Sequence, residues 1–519
     1  MNERLNHEIF DDDVYLFGPF EKKRPKIPDG MFKDKDLDKI KVISKKLSNE
    51  SLLNELKRIQ PPTTIDYETY PIMVERAIGS VIWDVEEKEY LDLTSQIGVL
   101  NLGHCHPKIN EAVAKQMNKL NFAIATDWPH FPLLLWEKTL KAIMPLDFEI
   151  MVWPEITGAG ANNAAVEIIK TLSSQEANIY LKKNRGSRMV WLAFEGAFHG
   201  RQGYAKDLTQ EKPIQKTQHN DNLKVIHLPF PDDREWRDGI NIESGKTYIE
   251  EIQSCPHRYC FRPQDVQGFF MELVQGQAGV NVSDKKSIEQ IFDYCRANDI
   301  VTIVDEIQTG FGRTGKLFAF EHYGIQPDVI TLAKSLGGGL PLGAVVFRKD
   351  LFHGFDQEIM SPGKHSGTFN ATPLACISSI AFINALYKKT EAEKIINAPK
   401  NKSQNLEYEL PACENFIGRA QKLGEFMINW FLELDRQLPY LQDFRGIGLM
   451  WGIDIIDEDG KPSSLLRNKI IHQCVKNGLL VSQSGVNTIR FLPSLNIFLG
   501  QLEVGLERFA ASVNEVVEK

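Results

Sequence analysis

Between about residues 145 and 350, short apolar runs alternate with longer amphipathic stretches. MVWPEIT, RMVWLAFEG, LKVIHLPF, VQGFFMELV, IVTIVDEI, DVITLA and GAVVFR are rich in β-branched and aromatic residues and read as strands. ANNAAVEIIKTL and KSIEQIFDYCRAND, which fall between them, carry apolar residues at helical spacing. Strands alternating with helices predict an α/β fold with a largely parallel central sheet. In such sheets ligands gather at the carboxyl ends of the strands, so the chemistry is expected in the residues just after each run.

The flanks have a different texture. Residues 1–60 mix charges of both signs, and DKDLDKIKVISKKLSNESLLNELKRI reads as a surface helix ended by Pro61 and Pro62. VIWDVEEKEYLDL predicts a hairpin, two β-rich runs joined by a charged turn. Beyond about 385, Phe416, Ala420, Leu423, Met427, Trp430 and Leu434 recur at helical spacing and are expected to pack a core. Residues 395–412 read as a polar loop insertion, and GIGLMWGIDII and NTIRFLPSLNI as strands of a second, smaller domain. The organisation expected is a charged extension (1–70), an N-terminal part of the small domain (71–115), a large domain (116–385) and a C-terminal small domain (386–519).

Composition narrows the function. The chain has 519 residues, 42% hydrophobic and 25% charged, as in an ordinary globular protein. Its 69 acidic against 60 basic residues give a net charge of -9, which speaks against nucleic acid as a partner. No run of eighteen apolar residues predicts a membrane span. Seven scattered cysteines, an odd number, point to free thiols and a cytoplasmic location rather than a disulfide framework.

Four places could carry chemistry. In IVTIVDEIQTGFGRTGK, Asp305 stands where an apolar strand ends, and a charge there needs a partner, such as a protonated ring nitrogen or a turn. Gly310, Gly312 and Gly315 match G-x-G-x-x-G, which keeps a nicotinamide-dependent oxidoreductase as a competing reading. The spacing from the strand favours a flexible loop instead. Lys334 follows DVITLA and precedes Gly337–Gly339. An amine at a buried strand end has a lowered pKa and is a candidate nucleophile, although lysines usually reach water. EITGAGANNAAVEIIKTL puts Gly158 and Ala159 at a bare helix start suited to a phosphate. In FEGAFHGRQ, Phe198 and His199 follow another strand, where an aromatic could stack on a flat ligand. Cys255, His257 and Cys260 resemble a metal cluster only superficially, and no metal is expected. Together, a phosphate-binding helix start, a stacking aromatic, a buried carboxylate and a buried lysine describe a site for a phosphorylated pyridine aldehyde held as a Schiff base.

At these residues the chain resembles the class III, or ω-amino acid, aminotransferases, which bind pyridoxal 5'-phosphate on the fold-type I scaffold. IVDEIQTGFGRTGKLFAFEHYGIQPDVITLAKSLGGGLPLGAV is the most specific match. YLDLTSQIGVLNLGHCHPKI, FEGAFHGR, HSGTFNATPLA, FRGIGLMWGIDI and IRFLP support it from about residue 71 to 515. The resemblance implies that Lys334 is the Schiff-base lysine and that Asp305 pairs with the pyridine nitrogen. It assigns the ring hydroxyl to Gln308, the phosphate to Gly158 and Ala159, and ring stacking to Phe198, where many relatives carry Tyr. His199 and Glu272 fall among the cofactor-binding positions. Thr368 would reach the phosphate of the neighbouring subunit in a homodimer, and Arg490 would bind a substrate carboxylate. The activity implied is transfer of an amino group, ω in a diamino acid such as lysine or in another ω-amine, to a 2-oxo acid by a ping-pong mechanism. A racemase or epimerase on the same scaffold is the alternative.

The sequence departs from the family pattern in three places. The phosphate turn, usually S-G-[TS]-E-A-N, reads Thr157-Gly158-Ala159-Gly160-Ala161-Asn162, without the glutamate. E-P-[IV]-Q-G-E-[AG]-G appears as Glu272-Leu273-Val274-Gln275-Gly276-Gln277-Ala278-Gly279, so a neutral Gln277 replaces the glutamate that pairs with the carboxylate-binding arginine. The N-terminal arm of about 70 residues is long. GAFHGRQGYAKDLTQEKP looks closest to lysine ε-aminotransferases. Ser95, Gln96 and Trp128 are expected near the amine entrance.

Overall fold

The structure, a computed structural model, describes residues 48–61, 68–174, 189–210, 223–232, 248–254, 259, 261–352, 365–394, 409–435 and 438–518. Most of the charged arm, most of the polar insertion, and Cys255, His257 and Cys260 lie outside the described residues. The part of the arm that is described, helix α1 (Asn49–Ile59), docks on the body. Asn49 Nδ2 donates to Asp84 Oδ2 at 2.8 Å, and Met73 N donates to Asn49 Oδ1 at 2.8 Å.

Strands β1 (Val74–Ile78), β2 (Val81–Asp84) and β3 (Glu89–Asp92) follow, with β2 and β3 forming the expected hairpin in the register Val81↔Leu91. Helices α2 (Pro107–Met117) and α3 (Phe131–Ile143) lead to the central sheet. The strands that follow are β4 (Ile150–Glu155), β5 (Val190–Phe194), β6 (Lys224–Leu228), β7 (Val266–Met271), the short β8 (Val274–Gln275) and β9 (Asn281–Val282), then β10 (Val301–Asp305), β11 (Val329–Leu332) and β12 (Gly343–Arg348). Among the helices, α4 (Gly158–Ser174) follows β4 and α5 (Lys285–Ala297) precedes β10.

The central sheet has seven strands in the order β4-β12-β11-β10-β7-β5-β6. β6, β5, β7, β10 and β11 are parallel, and β12 runs against both β11 and β4. The carboxyl ends of all strands but β12 therefore meet on one edge. Helical crossovers cover the sheet, so its inner strands are mostly apolar: β7 and β10 are buried along their whole length.

After α6 (Pro373–Leu386) come β13 (Glu393–Lys394), β14 (Glu409–Leu410), α7 (Phe416–Asp435), β15 (Leu441–Ile447), β16 (Met450–Ile455), α8 (Ser464–Lys476), β17 (Leu479–Leu480), β18 (Ser482–Ser484), β19 (Thr488–Phe491) and α9 (Leu499–Val517). The periodic residues of α7 pack as expected: Ala420, Leu423, Met427 and Leu434 are buried, with Phe416 and Trp430 against them. GIGLMWGIDII is not one strand. β15 turns into β16 at Gly448, whose φ is +57°, and Ile447 pairs with Met450. β17 pairs in parallel with β3, and Leu492 N donates to Leu93 O at 2.7 Å. Those contacts tie the N-terminal strands to the C-terminal part of the chain.

Candidate active site

A cavity of about 530 Å³ opens on the carboxyl edge of the central sheet. Its lining comes from segments far apart in sequence that the parallel sheet delivers to one place. Thr157, Gly158 and Ala159 follow β4, Phe198 and His199 follow β5, and Glu272 follows β7. Asp305 ends β10, and Lys334 follows β11.

Asp305 is buried with its orientation fixed on both oxygens. Oδ1 accepts from Ile307 N at 3.0 Å, and Oδ2 accepts from Asn162 Nδ2 at 2.9 Å. His199 Nδ1 lies 2.8 Å from the same Oδ2, while His199 Nε2 is buried with no hydrogen-bond partner. A proton on Nδ1 lets His199 donate to the carboxylate. Glu306, the other carboxylate of the motif, turns away. It accepts from Phe320 N at 3.0 Å and from Thr309 Oγ1, and burial pushes it up to about 7.

Lys334 borders the cavity, and its surroundings are otherwise protein. Desolvation lowers its pKa to about 8, and Arg490 pushes in the same direction while Asp305 and Glu272 oppose. Its φ is +47°, a left-handed value that strains any side-chain-bearing residue. Glu272 is buried and pushed up to about 7, chiefly by desolvation and also by the nearby Asp305. It accepts from Phe198 N at 2.9 Å and Gly276 N at 3.2 Å, so it fixes the backbone that presents Phe198.

The phosphate turn has the form expected of an anion site. Thr157 Oγ1 accepts from Gly160 N at 3.0 Å at the start of the 17-residue α4. Thr157, Gly158 and Ala159 line the cavity at this helix start, where the dipole favours an anion. A Cβ on Gly158 would lie 2.9 Å from Ile307 Cδ1, so a side chain there would have to displace Ile307 on the loop after Asp305.

Arg490 is buried in β19, behind the lining. Its Nη1 faces Gly276 O at 2.6 Å, Gln277 Oε1 at 3.1 Å and Gln308 Oε1 at 3.3 Å, and its Nε donates to Ser482 Oγ at 3.2 Å. Gln277 and Gln308 both line the cavity. A Cβ at Gly276 would fall 1.9 Å from Gln308 Oε1, so that side chain has its place only because residue 276 has none.

One expectation needs correction. Ser95 is buried and donates to Leu492 O at 2.6 Å, and neither it, Gln96 nor Trp128 lines the cavity. Ser95, Gln96 and Ile97 have φ of 44–61° and form a left-handed turn, which hands Val99 to the wall instead. Thr368 is exposed and lies outside this chain's cavity. The glycines at 310, 312 and 315 lie in turns between β10 and Phe320, with φ of +89° at Gly312 and +85° at Gly315, not at a strand-to-helix junction.

Asn162 and Arg201 were not singled out by the sequence reading. Arg201 lines the cavity with its guanidinium 4.9 Å from the centroid of the Phe198 ring. Both lie inside the phosphate-turn and FEGAFHGRQ segments, and helical spacing from Gly158 was the available signal for Asn162.

The residues fit pyridoxal phosphate: a buried carboxylate with fixed lone pairs, an amine of lowered pKa, an aromatic side chain and a bare helix start share one cavity. The class III aminotransferase family matches residues 64–513, and the chain belongs to it. Its cofactor is accordingly pyridoxal phosphate. The chain is 28% identical to an acetylornithine aminotransferase of Caldanaerobacter subterraneus, covering 87% of this chain and 96% of that one. It is 29% identical to a 5-aminovalerate aminotransferase of Pseudomonas aeruginosa, covering 90% and 99%. The solved ornithine aminotransferase of Toxoplasma gondii shares the fold, with a TM-score of 0.73 at 22% identity over 93% of this chain and 99% of that one.

Proposed function

We propose that this aminotransferase takes the ω-amino group of a diamino acid such as lysine, or of another ω-amine, and delivers it to a 2-oxo acid in two half-reactions with ping-pong kinetics. The observation that carries the reading is an amine of pKa about 8, Lys334, in one cavity with the glutamines that front Arg490. Relatives named for acetylornithine and 5-aminovalerate direct it toward ω-amines.

Bound pyridoxal phosphate supplies an aldehyde for amine exchange and an electron-withdrawing ring. Lys334 would hold the aldehyde through Nζ, and once free of it the same Nζ would take and return the substrate's proton. Asp305, aimed by Asn162, His199 and the amide of Ile307, would keep the ring nitrogen protonated. Gln308 would serve the ring hydroxyl, Phe198 the ring and Gly158 with Ala159 the phosphate, all of them lining the cavity. Arg490 takes the carboxylate of the 2-oxo acid through its planar fork. Apolar wall residues Val99, Ile156, Leu340 and Leu342 suit the methylenes of an ω-amine donor.

The working unit is a homodimer. Trp128, Phe131 and Phe369 are 58–68% exposed, and Phe369 packs on Phe122 with ring centroids 5.5 Å apart. A second copy covering that apolar face would take Thr368, beside Phe369, to its own phosphate. The described cysteines are all free thiols, in keeping with the cytoplasm. The test is a donor screen of lysine, ornithine and other ω-amines with 2-oxoglutarate and with pyruvate. Donor-dependent formation of glutamate or alanine is expected, and its absence with every ω-amine would overturn the substrate class.

A further inference from the structure

Glu155, the last residue of β4, is buried, and the roles above leave it unused. Its Oε1 lies 3.0 Å from His365 Nε2 and accepts from Trp153 Nε1 at 3.3 Å. Its Oε2 fills the space beside Gly160, where a Cβ would come within 2.9 Å of it. Gly160 is in the first turn of α4 and its φ is not positive, so the backbone does not call for glycine there. The carboxylate of Glu155 does.

His365 opens the segment that carries Thr368. A second bond ties this segment to the same strand: Asn370 Nδ2 donates to Pro154 O at 3.2 Å. The Trp153 and His365 ring centroids are 6.0 Å apart. The strand that delivers the phosphate turn at its end therefore also anchors the Thr368 segment.

We propose that Glu155 and His365 are positioning residues for pyridoxal phosphate: their pair holds the Thr368 segment on the strand that carries the phosphate turn, and a carboxylate reaching from β4 stands in for a side chain at position 160. The inference rests on the placement of the phosphate at Thr157–Ala159 proposed above. A buried carboxylate close to a phosphate dianion would repel it unless neutralised, and His365 is the neutralising group. His365 has its pKa raised first by the hydrogen bond to Glu155, then by the charges of Glu155 and of Glu167 on α4, with burial opposing. A raised imidazole contributes its stabilisation at low pH and loses it as pH climbs through its folded value. The latch should thus weaken on the alkaline side of the ordinary imidazole range.

The test uses the full-length protein and compares the dissociation constants of pyridoxal 5'-phosphate and of pyridoxal, which lacks the phosphate, between pH 6.5 and 9. Glu155→Gln and His365→Gln should each weaken pyridoxal phosphate roughly tenfold at pH 6.5. Pyridoxal should change little, and the difference from wild type should shrink as pH rises. Gly160→Glu should be harmful alone, where it meets Glu155, but should restore binding in a Glu155→Ala background, a non-additivity that a merely structural role does not produce. Unchanged affinity and pH profile in both glutamine variants, or equal harm from Gly160→Glu in both backgrounds, would overturn the pairing. Equal weakening of pyridoxal and pyridoxal phosphate would overturn the phosphate placement, and the inference with it.

Discussion

Arg490 Nη1 donates to Gln277 Oε1 at 3.1 Å, so a neutral amide occupies one side of the buried guanidinium. An amide can yield to an incoming carboxylate without breaking an ion pair. Gln277→Glu would place a full charge at the same spot. The variant should raise the KM for the 2-oxo acid by roughly tenfold, a loss of about 1.4 kcal/mol, while the amine half-reaction changes less. Tighter acceptor binding in steady-state kinetics would contradict it.

The same guanidinium meets Gly276, Gln277 and Gln308 from one nitrogen and Ser482 from another, a fan of bonds that depends on its planar fork. Lysine cannot reproduce that geometry. Arg490→Lys should raise the KM for the 2-oxo acid roughly ten- to a hundredfold, or about 1.4–2.8 kcal/mol. A carboxylate-free amine donor should be nearly unaffected in its own half-reaction.

Lys334 must lose a proton before it can attack an aldehyde, and its pKa is lowered to about 8. Uptake of pyridoxal phosphate by cofactor-free protein should therefore speed up as pH rises through about 8 and then level off, as read by stopped-flow absorbance. Lys334→Ala should lose turnover and the absorbance of lysine-bound cofactor, yet still hold pyridoxal phosphate through the phosphate turn.

Asp305 is the acceptor for Asn162 and Ile307 and faces His199. Asp305→Asn removes the charge that holds a proton on the ring nitrogen. The half-reaction measured in single turnovers should slow by several orders of magnitude, at about 1.4 kcal/mol for each tenfold. A loss smaller than about tenfold would mean that the carboxylate faces something else.

Asp305 and Lys334 were legible in the sequence because each stands where an apolar strand ends, and a parallel sheet gathers strand ends. The sheet itself was legible for the same reason: its buried strands read as continuous apolar runs. The turn between β15 and β16 was hidden because Gly448 and Leu449 interrupt neither the glycine nor the apolar texture around them. Ser95 and Gln96 failed as entrance residues because a left-handed turn re-aims the chain, and three consecutive positive φ values have no signature in non-glycine residues. Glu155 and His365 are 210 residues apart, and only the fold brings them together.

The left-handed φ of +47° at Lys334 has a consequence for durability. Such a conformation costs a side-chain-bearing residue about 1–2 kcal/mol, and desolvation of the amine adds to the burden. Selection for a robust fold alone would put glycine there. Cofactor-free Lys334→Gly protein should then melt at a higher temperature than cofactor-free wild type in calorimetry, while being inert. The residue that makes this an enzyme is, by that measure, one of its weak points as a folded object, and saturation with cofactor is what compensates for it.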